Sequence, residues 1–375
     1  MKTKNTILKI TIAILLIIIL AVVFTLTQCS KAEDINNGYT PNEQTDVTKV
    51  KNSEDIEEVE NAETIEDEYY TSSNNNASSD NDAVVTPPAE TNPFSGKKIS
   101  VMGDSISTYT GWSDARPITD ESCTYRYGEA YYGPKGGDFH NTDMLVTDTW
   151  WHQAATELGA EILVSNAGNS TGLLIASYPA SAAWDQYLKE MLAYKSRPYY
   201  MGTENEDPDI IALYIGSSDM GKARVSQFGS IKDIDFDTLI TLQTDGTYSY
   251  AEPKTVAEAY SILLHKLKVT YPDAEIYCFN TVPNAGGTLK NINTKLQNTY
   301  PFNKMVKEVA DHHDAILVDI YAAFAIDPDN DGVAVQEDVT KFKTYFHEDP
   351  HPNAAGFDVI TECFVDAVCT NSKYN

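Results

Sequence analysis

Residues 98–107 read Lys-Ile-Ser-Val-Met-Gly-Asp-Ser-Ile-Ser. An apolar, β-branched run that stops at a glycine and gives way to small polar residues predicts a short buried strand feeding a tight turn. Four further runs have the same form: Glu161–Ser165, Asp209–Ile215, Glu275–Phe279 and Ala315–Ile320. Their near-continuous hydrophobicity predicts burial on both faces, as in a parallel sheet. Helical periods lie between them. Over Thr255–Thr270, the residues Val256, Ala259, Tyr260, Leu263, Leu264 and Leu267 share one face, and Asn303–His312 and Trp150–Leu158 follow fainter versions. A last helix is predicted from Asn353, a good N-cap, with Phe357, Ile360, Phe364 and Val368 in one stripe. Strands alternating with helices predict an α/β fold around a five-stranded parallel sheet, with ligands outside the carboxyl ends of the strands.

The remainder of the 375 residues divides into two regions of different character. Residues 1–29 begin with Lys2, Lys4 and Lys9 and continue as an uncharged, largely aliphatic stretch. This is the pattern of an export signal, and it is also long enough for a retained membrane-spanning helix. The stretch ends Leu26-Thr27-Gln28-Cys29, which resembles a lipobox with Cys29 as the lipidated residue, although Gln28 replaces the small residue expected there. Either outcome predicts an extracytoplasmic, membrane-anchored or secreted protein. Residues 30–95 form an acidic linker: Lys31 to Pro93 carries 16 acidic residues against 3 basic ones and includes a Ser/Asn tract at 72–79. Such composition cannot bury enough apolar surface to offset chain entropy, which predicts a disordered tether. The whole chain has a formal charge of −28, which argues against a nucleic-acid partner.

Candidate chemistry sits at the predicted strand ends. Ser105 would occupy the turn after the first strand, where it could be an N-cap or a nucleophile. Near the other end of the chain, His351 stands between two prolines in Glu348-Asp349-Pro350-His351-Pro352-Asn353. A nucleophilic serine needs a base within hydrogen-bond reach and a third group that fixes the base's tautomer. Ser105, His351 and a nearby carboxylate together satisfy that list.

With these residues in view, the chain resembles the SGNH/GDSL hydrolase family, including its bacterial secreted and lipoprotein-type esterases. Gly103-Asp104-Ser105-Ile106-Ser107 is similar to the first family block, and Glu348–Asn353 to the last. Val164–Gly172 resembles the second block and Ile215-Gly216-Ser217-Ser218-Asp219 the third, in family order over residues 96–375. Asp148-Thr149-Trp150-Trp151-His152 also resembles secreted members. The resemblance implies a three-layer, flavodoxin-like hydrolase domain with Ser105 as nucleophile and His351 as base. It implies an oxyanion hole from the Ser105 N–H, a backbone N–H near Gly172 and the residue at Ser218. No cofactor is implied for catalysis.

Three departures stand out. Glu348 occupies the place of the family's aspartate, three residues before the histidine, with Asp349 as the substitute one place later. Ser218 stands where an oxyanion asparagine is usual, and its hydroxyl has a shorter reach than an amide. Thr171 stands where a glycine is usual, with Gly172 one later. The expected function is therefore a serine esterase acting on an ester-bearing small molecule or acylated glycan, acetyl groups first. The rivals are a lipase or thioesterase, or a surface carbohydrate-binding protein that has lost turnover.

Asp327, Asp329, Asp331 and Asp338 have the spacing of a calcium loop, with Gly332 at the sharp turn, so a structural calcium ion is expected as an alternative to an ordinary acidic turn. Cys123, Cys278, Cys363 and Cys369, in the folded part, have no metal spacing and predict free thiols. His312-His313 predicts a cation favoured by a helix C-terminus. Tyr109, Trp112, Tyr125, Tyr127, Tyr131 and Tyr132 gather in one Gly-rich segment, which could line a sugar cleft or simply pack on the domain.

Overall fold

A computed structural model describes residues 92–112, 130–133, 143–175, 192–283, 285–327, 329, 331–347 and 349–375. The putting of residues 1–29 at a membrane, the acidic linker up to residue 91, Cys123 and Glu348 all fall outside the described residues. The described residues all belong to one compact unit, Val84–Asn375. Its folded part starts earlier than Gly96: Phe94 is buried, and the Asn92 side chain donates to Leu158 O at 2.8 Å.

The five predicted strands form one parallel sheet. They are β1 (Lys98–Gly103), β2 (Glu161–Ala167), β3 (Ile210–Tyr214), β6 (Glu275–Phe279) and β7 (Ile316–Val318), in the order β2-β1-β3-β6-β7. This is the flavodoxin-like order, with its switch point between β1 and β3. Those two strands pair in register from Ile99↔Ile210 to Gly103↔Tyr214, so their carboxyl ends finish side by side. The intervening β4 (Ile240–Leu242) and β5 (Tyr248–Tyr250) make a separate antiparallel hairpin.

Successive side chains of β3 feed opposite cores, as a two-residue strand period requires. Ile210, Ala212 and Tyr214 pack with Trp150 of α1 (Trp150–Leu158) and with Phe357, Ile360 and Phe364 of α7 (Ala354–Asn371). Ile211, Leu213 and Ile215 pack with Val256, Tyr260, Leu263 and Leu264 of α3 (Val256–Thr270). Helix α4 (Leu289–His312) serves both cores, with Ile292 and Leu296 on one side and Phe302, Met305, Val306 and Val309 on the other. Burial of each such side chain contributes about 1.5–3 kcal/mol, enough to hold three layers together.

The caps follow the sequence. Thr255 accepts from Glu258 N at 3.2 Å, and the Glu258 carboxylate reaches back to Thr255 N at 3.0 Å, closing a capping box on α3. Asn353 accepts from Gly356 N at 3.1 Å and starts α7. One expectation is corrected at the far end of α4. Burial and the neighbouring His312, Lys268 and His265 push His313 down to about 4, so its ring is neutral at pH 7 and is not a helix-capping cation. Cys278, Cys363 and Cys369 carry free thiols. Among the described residues, no helix is long and apolar enough to cross a membrane.

Candidate active site

The site is assembled at the switch point. Gly103 ends β1 because a Cβ there would lie 2.3 Å from Ser107 Oγ, so only glycine lets the chain fold back so closely. Asp104 then caps the turn Ser105–Ser107 by accepting from Ile106 N at 3.1 Å. Its other oxygen accepts from Ser217 N at 3.1 Å and Ser217 Oγ at 2.5 Å, which ties the nucleophile turn to the start of α2 (Ser217–Lys222) after β3. Burial raises the Asp104 pKa against the opposing pull of these donors. On the opposite side, Trp150 Nε1 donates to Ser107 Oγ at 3.3 Å and Trp151 Nε1 to Ser107 O at 3.1 Å. The Trp150-Trp151 pair is thus the wall against which the turn is built.

Ser105 Oγ lies 2.7 Å from His351 Nε2, across 246 positions of sequence. Behind the ring, Asp349 Oδ1 is 3.2 Å from Nδ1, at ion-pair distance but oblique to the ring N–H. Catalytic contacts of this kind commonly tighten only when substrate is bound. The same carboxylate oxygen accepts the His351 backbone N–H at 3.1 Å, an Asx turn that Pro350 and Pro352 stiffen. Burial alone would raise the Asp349 pKa, but His351 and the Tyr131 hydroxyl hold this carboxyl well below the usual carboxylate range. Among the described residues the carboxylate at the ring is Asp349, the substitute named above, placed there by the turn; Glu348, which the three-residue spacing favoured, lies outside them.

The loop after β2 supplies the second edge. Gly172 is required there: a Cβ would lie 2.3 Å from Ile175 O and 2.5 Å from Asp219 Oδ2. Asp219 clamps the following residues, accepting from Leu173 N at 2.7 Å, Leu174 N at 2.8 Å and Ile175 N at 2.7 Å. Its burial outweighs these donors and pushes its pKa up to about 6. Among the described residues, no hydrogen bond takes up the backbone N–H of Ser105 or of Gly172. Unclaimed backbone donors of this kind are what a developing oxyanion needs. Ser218 is buried at the start of α2.

The Thr171 departure has a physical reason. The left-handed backbone position falls on Ser170, at φ 62°, and not on Thr171. Thr171 Oγ1 donates to Gly168 O at 2.7 Å and accepts from Arg197 Nη1 at 3.1 Å. Arg197, 2% exposed, is a residue that sequence reasoning missed. It also donates to Gly103 O at 2.7 Å, Asn166 O at 2.5 Å and Asn166 Oδ1 at 3.0 Å, joining the ends of β1 and β2 to the Gly172 loop. No local pattern marks it; an arginine before a proline reads as an ordinary loop residue.

The acidic loop has hydrogen-bond partners of its own. Asp327 Oδ2 accepts from Tyr321 Oη at 3.2 Å and Gly332 N at 3.0 Å, and Asp331 Oδ1 accepts from Val333 N at 2.7 Å. Asp338 lies in the first turn of α6 (Gln336–Tyr345) and its carboxylate accepts from Val335 N at 2.6 Å, while Asp329 is exposed. Among the described residues, no group of three or more His, Cys, Asp or Glu side chains is placed to hold a metal ion.

No family model matches the sequence, and no curated protein matches it significantly. Solved structures of similar architecture include a GDSL-like lipase from Bacteroides ovatus, at 18% identity and TM-score 0.46, covering 74% of this chain and 100% of that one. A family two carbohydrate esterase from Clostridium thermocellum has 15% identity and TM-score 0.40, covering 74% and 65%. A Geobacillus acetyl-xylooligosaccharide esterase has 15% identity and TM-score 0.37, covering 75% and 98%. These are likenesses of fold and decide nothing about chemistry. The five-stranded parallel sheet, in the order β2-β1-β3-β6-β7, carries the motif blocks at its carboxyl edge.

Proposed function

We propose that this chain is an extracytoplasmic serine esterase that removes small acyl groups, acetyl first, from cell-wall or other polysaccharide. The observation that carries the reading is the 2.7 Å contact between Ser105 Oγ and His351 Nε2, with Asp349 behind the ring. As Ser105 Oγ forms a bond to the ester carbonyl carbon, its proton passes to Nε2. The carbonyl oxygen becomes the oxyanion, held by the N–H groups of Ser105 and Gly172. Collapse breaks the bond to the leaving alkoxide, which takes the proton from Nε2. Water then repeats the sequence on the acyl-enzyme through the same imidazole and releases the acid. Asp349 stays ionised throughout, holding the tautomer and balancing the imidazolium.

The acyl-glycan substrate is supported by the expected location and by aromatic surface near the nucleophile turn. Trp112 is 42% exposed, and its ring centroid is 5.6 Å from that of Trp151. Such an open indole suits a sugar face. Residues 1–29 would hold the domain at a membrane through lipid on Cys29 or a retained helix, and residues 30–95 would space it outward. A second reading, a carbohydrate-binding protein with little turnover, is favoured by Ser218, whose hydroxyl replaces a longer amide donor. For the acidic loop, Asp327 and Asp338 each accept hydrogen bonds on one carboxylate oxygen, and calcium would engage the acceptor capacity that remains. A melting temperature that rises in calcium and falls back in EDTA would require the ion, and an unchanged melt removes it.

Labelling with a fluorophosphonate decides between enzyme and binding module. The wild-type chain is expected to be labelled and Ser105→Ala is not; an unlabelled wild type defeats the esterase reading. Acetylated glycans compared with long-chain esters then separate a deacetylase from a lipase.

A further inference from the structure

The aromatic segment that precedes the second strand returns to the site at Tyr131, with consequences for the imidazole. The Tyr131 ring lies parallel to that of His351, with centroids 3.5 Å apart and planes 12° from one another. Its hydroxyl donates to Asp349 Oδ2, the carboxylate oxygen that faces away from the ring. Its backbone N–H donates to Thr108 Oγ1 at 2.8 Å, and that hydroxyl donates onward to Ser105 O at 2.8 Å. One residue therefore touches the base, the orienting carboxylate and, through a single threonine, the turn that carries the nucleophile.

We propose that Tyr131 is a positioning residue for the His351–Asp349 pair, fixing the carboxylate with its hydroxyl and the imidazole plane with its ring. The inference rests on the esterase reading above. The physical need is plain from exposure: the Asp349 side chain is 42% exposed and has only Pro350 between it and His351. A carboxylate so open would rotate between the Nδ1 side and water. A hydroxyl on Oδ2 leaves Oδ1 as the oxygen presented to the ring. When His351 becomes a cation during acyl transfer, the tyrosine face covers it and excludes water from one side. No proton leaves Tyr131 in this scheme; it remains a donor throughout.

The other titratable groups around the pair are Tyr132, whose hydroxyl donates to Pro352 O at 2.9 Å, Asp104 behind the nucleophile, and His347 on the preceding loop. None of these is altered by Tyr131→Phe, which keeps the ring and deletes the hydroxyl. That deletion leaves Asp349 less neutralised, so it attracts the imidazolium more strongly and the acid limb of the rate profile moves to higher pH.

The test is the second-order rate of fluorophosphonate labelling across about pH 5 to 9, with folding checked by thermal melts. Tyr131→Phe is expected to slow labelling about three- to tenfold, with the acid limb displaced upward. Tyr131→Leu should slow it further. In an Asp349→Asn background, Tyr131→Phe should cost nothing more, because the hydroxyl acts through that carboxylate. Tyr132→Phe removes a hydroxyl from the same segment and should leave the limb in place. Equal losses in both backgrounds, a wild-type rate for Tyr131→Phe, a limb that does not rise, or an equal displacement in Tyr132→Phe would each overturn the proposal. An unlabelled wild type would instead defeat the esterase reading, and this inference with it.

Discussion

Replacing Arg197 with lysine probes how the strand-end turns are held together. The guanidinium donates to Gly103 O, Asn166 O, Asn166 Oδ1 and Thr171 Oγ1, all from a position 2% exposed. A lysine keeps the charge, but its single ammonium reaches about two of these acceptors and lacks the planar fork. Gly103 O keeps its bond from Gly168 N at 3.1 Å, so about one buried acceptor is left without a donor and the expected destabilisation is about 1–3 kcal/mol. That is less than the ~5–15 kcal/mol total stability usual for a domain, so the variant should fold. Urea unfolding should show the loss as a lower midpoint at unchanged slope. Labelling of Ser105 should slow about tenfold or more, because Thr171 immediately precedes the Gly172 N–H. A loss below about 1 kcal/mol together with a wild-type labelling rate would refute the reasoning. Destabilisation with unaltered labelling would make Arg197 a packing residue with no part in holding the site.

Gly172→Ala should be more damaging to chemistry than to stability. Its Cβ would sit 2.3 Å from Ile175 O, so the loop must shift; labelling should fall about 10²-fold, and a wild-type rate would exclude this N–H from the oxyanion site. His313 sets a pH dependence far from the site. Its pKa falls from 6.5 to about 4 in the fold, so the unfolded chain binds the proton more readily and stability is lost as pH drops from about 6.5 towards 4. The full effect is about 3 kcal/mol. Asp219, raised to about 6, works in the opposite direction, so the contribution is read as the difference between wild type and His313→Gln in urea melts at pH 7 and pH 5. Parallel losses in the two proteins would remove His313 from the acid response.

The sheet was legible because its strands are short, apolar on both faces and bounded by turn residues; Glu275–Phe279 has the predicted limits. Elements that lack an apolar signature were not. The hairpin over Ile240–Tyr250 is mostly polar and exposed, and the first half of α4 is hidden by its polar sequence and by Pro301 inside the helix. Helix α6 lay concealed inside the calcium reading, since Asp338 serves equally well as a twelfth ligand or as a helix cap. At the site, Ser105 and His351 could be found because each lies in a short local motif. Sequence spacing favoured Glu348, which lies outside the described residues, and the turn geometry brings its substitute Asp349 to the ring. Tyr131 and Arg197 carry no local signature: each acquires its role only when distant segments meet.

The two indoles that donate into Ser107 give the domain a built-in optical reporter. Trp150 and Trp151 are two of the chain's four tryptophans, and Trp112 stands beside Trp151. Half of the tryptophans therefore contact Ser107, two positions along the chain from the nucleophile. Acylation of Ser105, or a ligand settling over Trp112, alters the surroundings of these emitters directly, so occupancy can be followed by intrinsic fluorescence without attaching a dye.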